Sequence, residues 1–196
     1  MENGIDVSHW QWPIDWGQVK AAGYTFAYIK ATEGTAFLDN RMAAHWLNAG
    51  QAGLKRGFYH FFRPGLNAAM QAAHFIIATR GLETELRPVL DVETVQKTPA
   101  GQPIKPDANN LLIWLQFVEM ATGQKPMIYT AAWFFDTYYG APIWARNYPL
   151  WCAHYSTAPT APRLPKAWTD WSIWQYSSQG KVPGVPGACD LDRSRT

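Results

Sequence analysis

The chain has few cysteines and lacks the histidine spacing of a metal site. Cys152 and Cys189 are its only cysteines, and no CxxC pattern occurs. Two cysteines form one bridge at most, so they do not build a disulfide framework, and we expect two buried free thiols. The five histidines show no zinc-ligand spacing; they are His9, His45, His60, His74 and His154. We therefore expect neither a metal site nor a cofactor.

Strong charge of one sign and long apolar runs are also absent. The formal net charge is +2 and the 17 basic residues are scattered along the chain, which gives no support to nucleic-acid binding. No run of 18 apolar residues occurs, so we expect no membrane insertion. The first residues, Met1-Glu2-Asn3-Gly4, form neither a basic n-region nor an apolar h-region, so no signal peptide is visible.

Aromatic residues, in contrast, are abundant, with 11 Trp, 9 Tyr and 9 Phe among 196 residues. Most of these rings must belong to the core, but an excess of aromatic surface is common in sugar-binding clefts. No internal repeat and no shift in composition divides the chain, so we expect a single domain over residues 1–196. We also expect a monomer.

Strand-like and helix-like segments alternate along the chain, which favours a parallel sheet. Helices are predicted from Asp15 to Gly23, from Asp39 to Gly50 or Gly53, over 68–79 and from Asp107 to 122. The connections 157–169 and 177–188 are rich in proline and predicted to be loops. Strands are predicted at 3–7, 26–31, 56–62, 88–92, 126–130, 150–154, 171–176 and 189–191.

About eight strands in one α/β domain predict an irregular, flattened TIM-like (β/α) barrel with roughly five helices, whose last crossovers are loops. An open, doubly wound sheet is the alternative. No glycine-rich phosphate loop follows the first strand, which disfavours nucleotide binding.

Asp91 and Glu93 are the clearest candidates for residues that carry out chemistry. They close an apolar, strand-like run, and residues i and i+2 of a strand point to one face. Two neighbouring acids do not both ionise easily, so one pKa is raised. A proton donor beside a charged carboxylate is what cleavage of a glycosidic bond requires. Two solvated acids at a strand end are the alternative for an isolated D-x-E.

Two further acids support a cleft. Asp6 ends the first predicted strand and Asp190 lies in the eighth. First and last strands are neighbours in a closed barrel, and functional residues gather at the carboxyl ends of barrel strands. We therefore expect Asp6 and Asp190 to lie together, facing Asp91 and Glu93. Four acids could also bind a divalent cation, which we consider the lesser alternative.

Eight segments in order resemble family 25 of the glycoside hydrolases, the Chalaropsis-type muramidases found among phage endolysins and in bacteria and fungi. Together they run from residue 4 to residue 192. They are GIDVSHWQ (4–11), FAYIKATEG (26–34), GFYHF (57–61), VLDVE (89–93), PMIYT (126–130), LWCAHY (150–155), WQYS (174–177) and DLD (190–192).

The resemblance implies cleavage of the β-1,4 bond between N-acetylmuramic acid and N-acetylglucosamine in peptidoglycan. Glu93 would be the general acid, and Asp91 would orient the substrate's 2-acetamido group, whose oxygen attacks the anomeric carbon with net retention. Direct inverting displacement, with Asp91 or Asp6 activating water, is the rival route. Asp6 and Asp190 would tune the pair. Asp192 departs from the family, which often has Asn there.

The resemblance also implies substrate-binding residues and a setting. Lys30 and Glu33 fit either a rim ion pair or substrate contact, and His60 fits packing. The protein would act on the bacterial wall, outside the cell or in the periplasm, after phage-type release or another export route. If the natural protein has a wall-binding module, we expect it to lie outside this sequence. The cleft residues that match the family are Tyr59, Tyr129, Trp151, Tyr155 and Gln175.

Two other functions remain open. One is an inactive sugar-binding module, which the presence of all four acids disfavours. The other is a chitinase-like glycosidase, which also uses a strand-borne D-x-E but has aspartates two and five residues before its first acid. Val89 and Leu86 occupy those positions here, so this function is disfavoured too.

Overall fold

Eight strands close into a barrel in the computed structural model, which describes residues 1–156 and 160–195. The strands are β1 Glu2–Val7, β2 Tyr24–Glu33, β3 Phe37–Leu38, β4 Lys55–Phe61, β5 Val89–Asp91, β6 Met127–Ala131, β7 Leu150–Ala153, β8 Ile173–Gly180 and β9 Cys189–Ser194. The order around the sheet is β1-β9-β8-β7-β6-β5-β4-β2, and β1 pairs with β2 to close it. The two-residue strand β3 forms a hairpin with β2. The TIM-like α/β barrel predicted from the sequence is confirmed.

Within the described residues five α-helices cover the outside of the barrel. They are α1 Trp16–Ala21, α2 Met42–Gln51, α3 Ala68–Thr79, α4 Ala108–Thr122 and α5 Ala132–Tyr138, followed by a 3₁₀ turn over Ile143–Asn147. Residues 160–169 contain no helix, as predicted, while residues 157–159 of that loop lie outside the described part of the chain. None of the helices described is long and apolar enough to cross a membrane.

Helix ends follow the sequence signals in most places. Asp15 accepts the backbone N–H of Gln18 and begins α1, and Asp107 accepts that of Asn109 and begins α4. Gly123 ends α4 with φ 69°, a left-handed conformation that glycine adopts without strain.

The prediction that Asp39 caps α2 is wrong. The helix begins at Met42 after Arg41, without a side-chain cap. The buried Asp39 carboxylate instead accepts the backbone N–H of Arg41 at 2.9 Å. It also accepts the backbone N–H of His9 and lies 2.8 Å from the His9 ring Nδ1. The carboxylate therefore bridges Arg41 and the distant His9 and does not cap the helix.

The prediction of a fully parallel sheet is wrong for one strand. β9 runs antiparallel to both of its neighbours, β8 and β1. The connection 181–188 is short and has no helix, which suits antiparallel neighbours, whereas parallel ones need a crossover of about a dozen or more residues. Asp190 therefore reaches the mouth of the barrel from the start of its strand, while Asp6 and Asp91 reach it from the ends of theirs.

The barrel interior is filled below the mouth by one apolar layer. Trp151 lies at its centre, 4.8 Å from the ring of Tyr28 and 5.0 Å from that of Tyr129. Phe26 fills the space above Gly4, where a Cβ would lie 2.2 Å from its ring. This layer forms the floor of the barrel mouth. The layer comprises Phe26, Tyr28, Val89, Met127, Tyr129, Trp151 and Ile173.

A larger core lies between the sheet and the helices. His60 is buried in it, with Nδ1 2.7 Å from the Thr32 hydroxyl and Nε2 3.2 Å from Gln71 Oε1. The packing role predicted for His60 is confirmed. Cys152 and Cys189 are free and buried, as predicted.

Candidate active site

A cleft of about 320 Å³ opens at the mouth of the barrel. It contains all four acids singled out in the sequence and all five of the candidate substrate-binding residues. It also contains residues that follow the first strand and were not predicted. The lining residues are Asp6, Val7, Ser8, Trp10, Gln11, Lys30, Tyr59, Phe61, Asp91, Glu93, Tyr129, Trp151, Tyr155, Gln175 and Asp190.

Asp91 and Glu93 project into this cleft from the end of β5. Hydrogen bonds hold the chain extended beyond the strand: the N–H of Val92 donates to the Tyr129 carbonyl at 2.9 Å, and the Thr130 hydroxyl donates to the Val92 carbonyl at 2.8 Å. Val92 is buried in the outer core. The two acids on either side of it therefore share the opposite face, as the spacing predicts.

The two carboxyls differ in their surroundings. Asp91 is buried, and its Oδ1 has no hydrogen-bond partner among the described residues. Burial, and then the charge of Glu93, raises the pKa of Asp91 well above its ordinary range, against the effect of Lys30. Solvent reaches Glu93, yet the cleft walls around its carboxyl, and then Asp190, raise its pKa as well. The pair therefore retains a proton above the pH at which ordinary carboxyls lose theirs.

Asp6 and Asp190 are direct partners in the β1–β9 ladder, which confirms that they lie together. Burial, and then the charges of Asp190 and Asp192, raises the pKa of Asp6 well above its ordinary range. Burial raises the pKa of Asp190 to about 6, and a hydrogen bond with Asp6 opposes this rise. The cleft thus has a second acidic pair that retains protons.

Gln175 joins Asp6 to two aromatic walls of the cleft. Its Nε2 donates to Asp6 Oδ2 at 2.7 Å. Its Oε1 accepts the hydroxyls of Tyr129 at 2.8 Å and Tyr155 at 2.7 Å. This network fixes the orientation of the amide, because a carboxylate needs the N–H side. Gln175 is only 2% exposed, so its main contacts are with protein side chains.

Trp151 and Tyr155 differ in how they meet the cleft. Trp151 is buried in the floor, and its Nε1–H donates to Asp192 Oδ1 at 2.9 Å. Tyr155 is 53% exposed and lies at the rim. Tyr59, like Tyr129, lies in the wall beside the acids. The aromatic candidates therefore supply a floor, a wall and a rim.

Lys30 is the basic residue among those that line the cleft. Its Nζ lies 2.6 Å from Glu33 Oε2 and 4.7 Å from the centre of the Phe61 ring, while Glu33 also pairs with Arg63 at 2.5 Å. The rim ion pair between Lys30 and Glu33 is thus present. The Lys30 charge beside the acids opposes the rise in the pKa of Asp91 and of Glu93 without cancelling it.

Ser8, Trp10 and Gln11 were not assigned to the site from the sequence. They form the loop after β1 and line one side of the cleft. The Trp10 side chain is 78% exposed and its ring centre lies 4.6 Å from that of His9. The available signal was their position directly after Asp6, at the carboxyl end of a barrel strand. The described residues include no group of three or more His, Cys, Asp or Glu suited to a metal ion.

Comparison with known proteins adds a family to this geometry. Residues 5–185 match the profile of the glycosyl hydrolases family 25. Lysozyme M1 of Streptomyces globisporus is 38% identical over 98% of the chain, which spans 66% of the length of that relative. An N,O-diacetylmuramidase of Chalaropsis sp is 30% identical over 80% of the chain and 79% of its own length.

Solved structures agree with the fold. The bacterial lysozyme from Streptomyces coelicolor superposes with a TM-score of 0.89 at 36% identity, covering 100% of this chain and 92% of the other. The family GH25 lysozyme from Aspergillus fumigatus gives a TM-score of 0.83 at 30% identity, covering 100% and 94%. The similarity therefore extends over the whole barrel.

Proposed function

Because the chain belongs to family 25 of the glycosyl hydrolases, we propose that it is a muramidase cleaving the β-1,4 bond between N-acetylmuramic acid and N-acetylglucosamine in peptidoglycan. Membership makes it a glycoside hydrolase of the lysozyme type. The bond and the residues that act on it are our inference, supported by the cleft.

One observation carries the proposal: the buried Asp91 Oδ1 has no donor, and the more exposed Glu93 lies next to it. A buried carboxylate oxygen without a donor is unfavourable by about 1–3 kcal/mol. The N–H of a substrate 2-acetamido group would satisfy it and would favour the charged form of Asp91. Glu93, which solvent and substrate can reach, would then hold the remaining proton.

The reaction follows from this division. Glu93 donates its proton to the glycosidic oxygen as the bond to the anomeric carbon breaks. The acetamido oxygen forms a bond to that carbon, giving an oxazolinium whose N–H is held by Asp91. Water then attacks the same carbon, returns a proton to Glu93 and reopens the ring, with net retention. In the rival inverting route, Asp91 or Asp6 activates a water for direct displacement.

The other residues of the cleft hold the substrate and the charges. Asp6 and Asp190 keep further protons near the pair, and Gln175 fixes Asp6. Tyr59, Tyr129, Trp151 and Tyr155 offer ring faces and hydroxyls to the glycan. We propose that the protein acts as a monomer on the wall of bacteria, without nucleic acid or membrane partners.

Replacement of Glu93 by Gln tests the proposal, because the amide has no proton to give. E93Q should release muropeptides from purified sacculi at least about 100-fold more slowly than wild type, while the melting temperature stays close to that of wild type. E83Q is the matched control, since Glu83 is exposed and does not line the cleft. If wild type releases no muropeptides, or if E93Q equals wild type, the proposed function is wrong.

A further inference from the structure

Asp192 is a buried acid that the proposed reaction does not use. It lies in β9, opposite Gly4 of β1 and Gln175 of β8, and it is 0% exposed. It does not line the cleft. The side chains of Asp190 and Asp192 share one face of the strand, so Asp192 lies one level below the cleft acids.

The two oxygens of Asp192 have different environments. Oδ1 accepts the indole N–H of Trp151 at 2.9 Å. No N–H or O–H group of the described residues donates to Oδ2. The diagonal neighbour of Asp192 on the same face of the β1–β9 ladder is Asp6, and the carboxyls of such neighbours can meet in a hydrogen bond. Two carboxyls can form such a bond only if one of them carries a proton.

The charges around Asp192 are of the wrong sign for a carboxylate. Its titratable neighbours are Asp6 and Asp190 in the cleft, Cys189 on its own strand and Tyr28 of β2. None of the ion pairs among the described residues includes it. Burial, and then Asp190, raises the pKa of Asp192 well above its ordinary range.

We propose that Asp192 is a positioning residue that acts as a neutral carboxylic acid, accepting from Trp151 through Oδ1 and donating the proton on Oδ2 to Asp6. The role rests on the proposed function, because Trp151 and Asp6 belong to the glycan cleft. The Asp192 carboxyl thereby fixes the indole through Oδ1, and its proton supplies Asp6 with a donor in addition to Gln175. Loss of this proton at alkaline pH would place a second charge beside Asp6 and remove the bond between the two carboxyls, while Oδ1 would still accept the Trp151 N–H.

The neutral acid has a close isostere in asparagine, whose oxygen accepts and whose N–H donates. The first test is therefore the melting temperature of D192N against wild type between pH 4 and pH 8. In the unfolded chain Asp192 ionises near pH 4, while the folded protein keeps the proton. Wild type therefore loses stability relative to D192N as the pH rises, and the difference in melting temperature should grow in favour of D192N.

The opposite trend would overturn the proposal. If D192N becomes progressively less stable than wild type as the pH rises, Asp192 is a favourably paired carboxylate; a difference that does not change with pH contradicts it as well. D170N is the matched control, since Asp170 is exposed and paired with Arg195, and it should not gain stability relative to wild type with rising pH. The comparison of melting temperatures needs no substrate, so it tests the protonation of Asp192 even if wild type proves inactive on sacculi.

The second test separates positioning from general support of the fold. D192N should release muropeptides within about threefold of the wild-type rate, because the amide keeps both hydrogen bonds. D192A leaves the Trp151 N–H without a partner, and its half-saturating sacculus concentration should rise about tenfold. Equal impairment of D192N and D192A, or no impairment of D192A, would contradict the role.

Discussion

Replacement of Gln175 by alanine should weaken both the fold and the reaction. The amide makes three short hydrogen bonds, to Asp6 at 2.7 Å, to Tyr129 at 2.8 Å and to Tyr155 at 2.7 Å. All three are made by one side chain that is 2% exposed. Alanine would remove the partner of each group and supply no replacement.

The size of the effect follows from the burial of the partners. Tyr129 and Asp6 are buried, and each buried group left without its partner is unfavourable by about 1–3 kcal/mol. Tyr155 is half exposed, so water can replace its lost bond. We therefore expect Q175A to lower the free energy of unfolding by about 2–4 kcal/mol. For a chain of this length that corresponds to a fall of about 5–15 °C in melting temperature.

Thermal unfolding at pH 7, followed by circular dichroism, measures this change, and muropeptide release measures its effect on the cleft. Gln179 provides the matched control, because it lies on the same strand but is exposed. Q179A should leave both properties close to wild type. If Q175A unfolds within 2 °C of Q179A, the network does not contribute as argued, and the reasoning from buried hydrogen bonds fails.

Two further predictions concern the rim and the core. Trp10 is largely exposed beside the cleft, so W10A should raise the half-saturating sacculus concentration several-fold without changing the melting temperature. The control is W133A, at an exposed tryptophan outside the cleft lining, which should change neither property. A W10A enzyme that saturates like wild type would contradict a contact between Trp10 and the glycan. His60 is buried with its pKa lowered to about 4, so H60A should lower the free energy of unfolding by about 2–4 kcal/mol at pH 7. Wild type loses stability as the pH falls from 6.5 towards 4, because His60 takes up a proton in the unfolded chain but not in the folded protein. In urea unfolding, the difference in free energy of unfolding between wild type and H60A should therefore shrink on acidification. A difference that grows would refute the interpretation of His60 as a buried neutral residue.

The barrel could be predicted because its signals are local. Apolar runs of strand length alternate with helical patterns, and acids follow the runs. The direction of β9 could not be predicted, because strand periodicity is the same in both directions. Direction depends on whether residues 181–188 form a crossover or a turn, and a proline-rich loop is compatible with either.

The acidic residues of the candidate site could be predicted from the sequence, but the hydrogen bonds between them and their neighbours could not. The positions of Asp6, Asp91 and Glu93 follow from strand ends, and Asp190 reached the cleft despite the reversed strand. The hydrogen bonds of Gln175 on β8 and Asp192 on β9 reach β1, β6 and β7. These partners lie between 41 and 169 residues away in the sequence, so no local spacing reveals them. The short helix α5 was missed for a local reason, since its aromatic residues lack a capping side chain and a long apolar period.

Mass spectrometry of the fragments released from purified sacculi, after reduction of their new chain ends, tests the central claim most directly. A muramidase leaves N-acetylmuramic acid at each new reducing end, and wild-type protein should produce these ends while E93Q does not. Reducing-end N-acetylglucosamine in the wild-type products would show that the cleft cuts the other bond of the glycan, and the proposed function would be wrong.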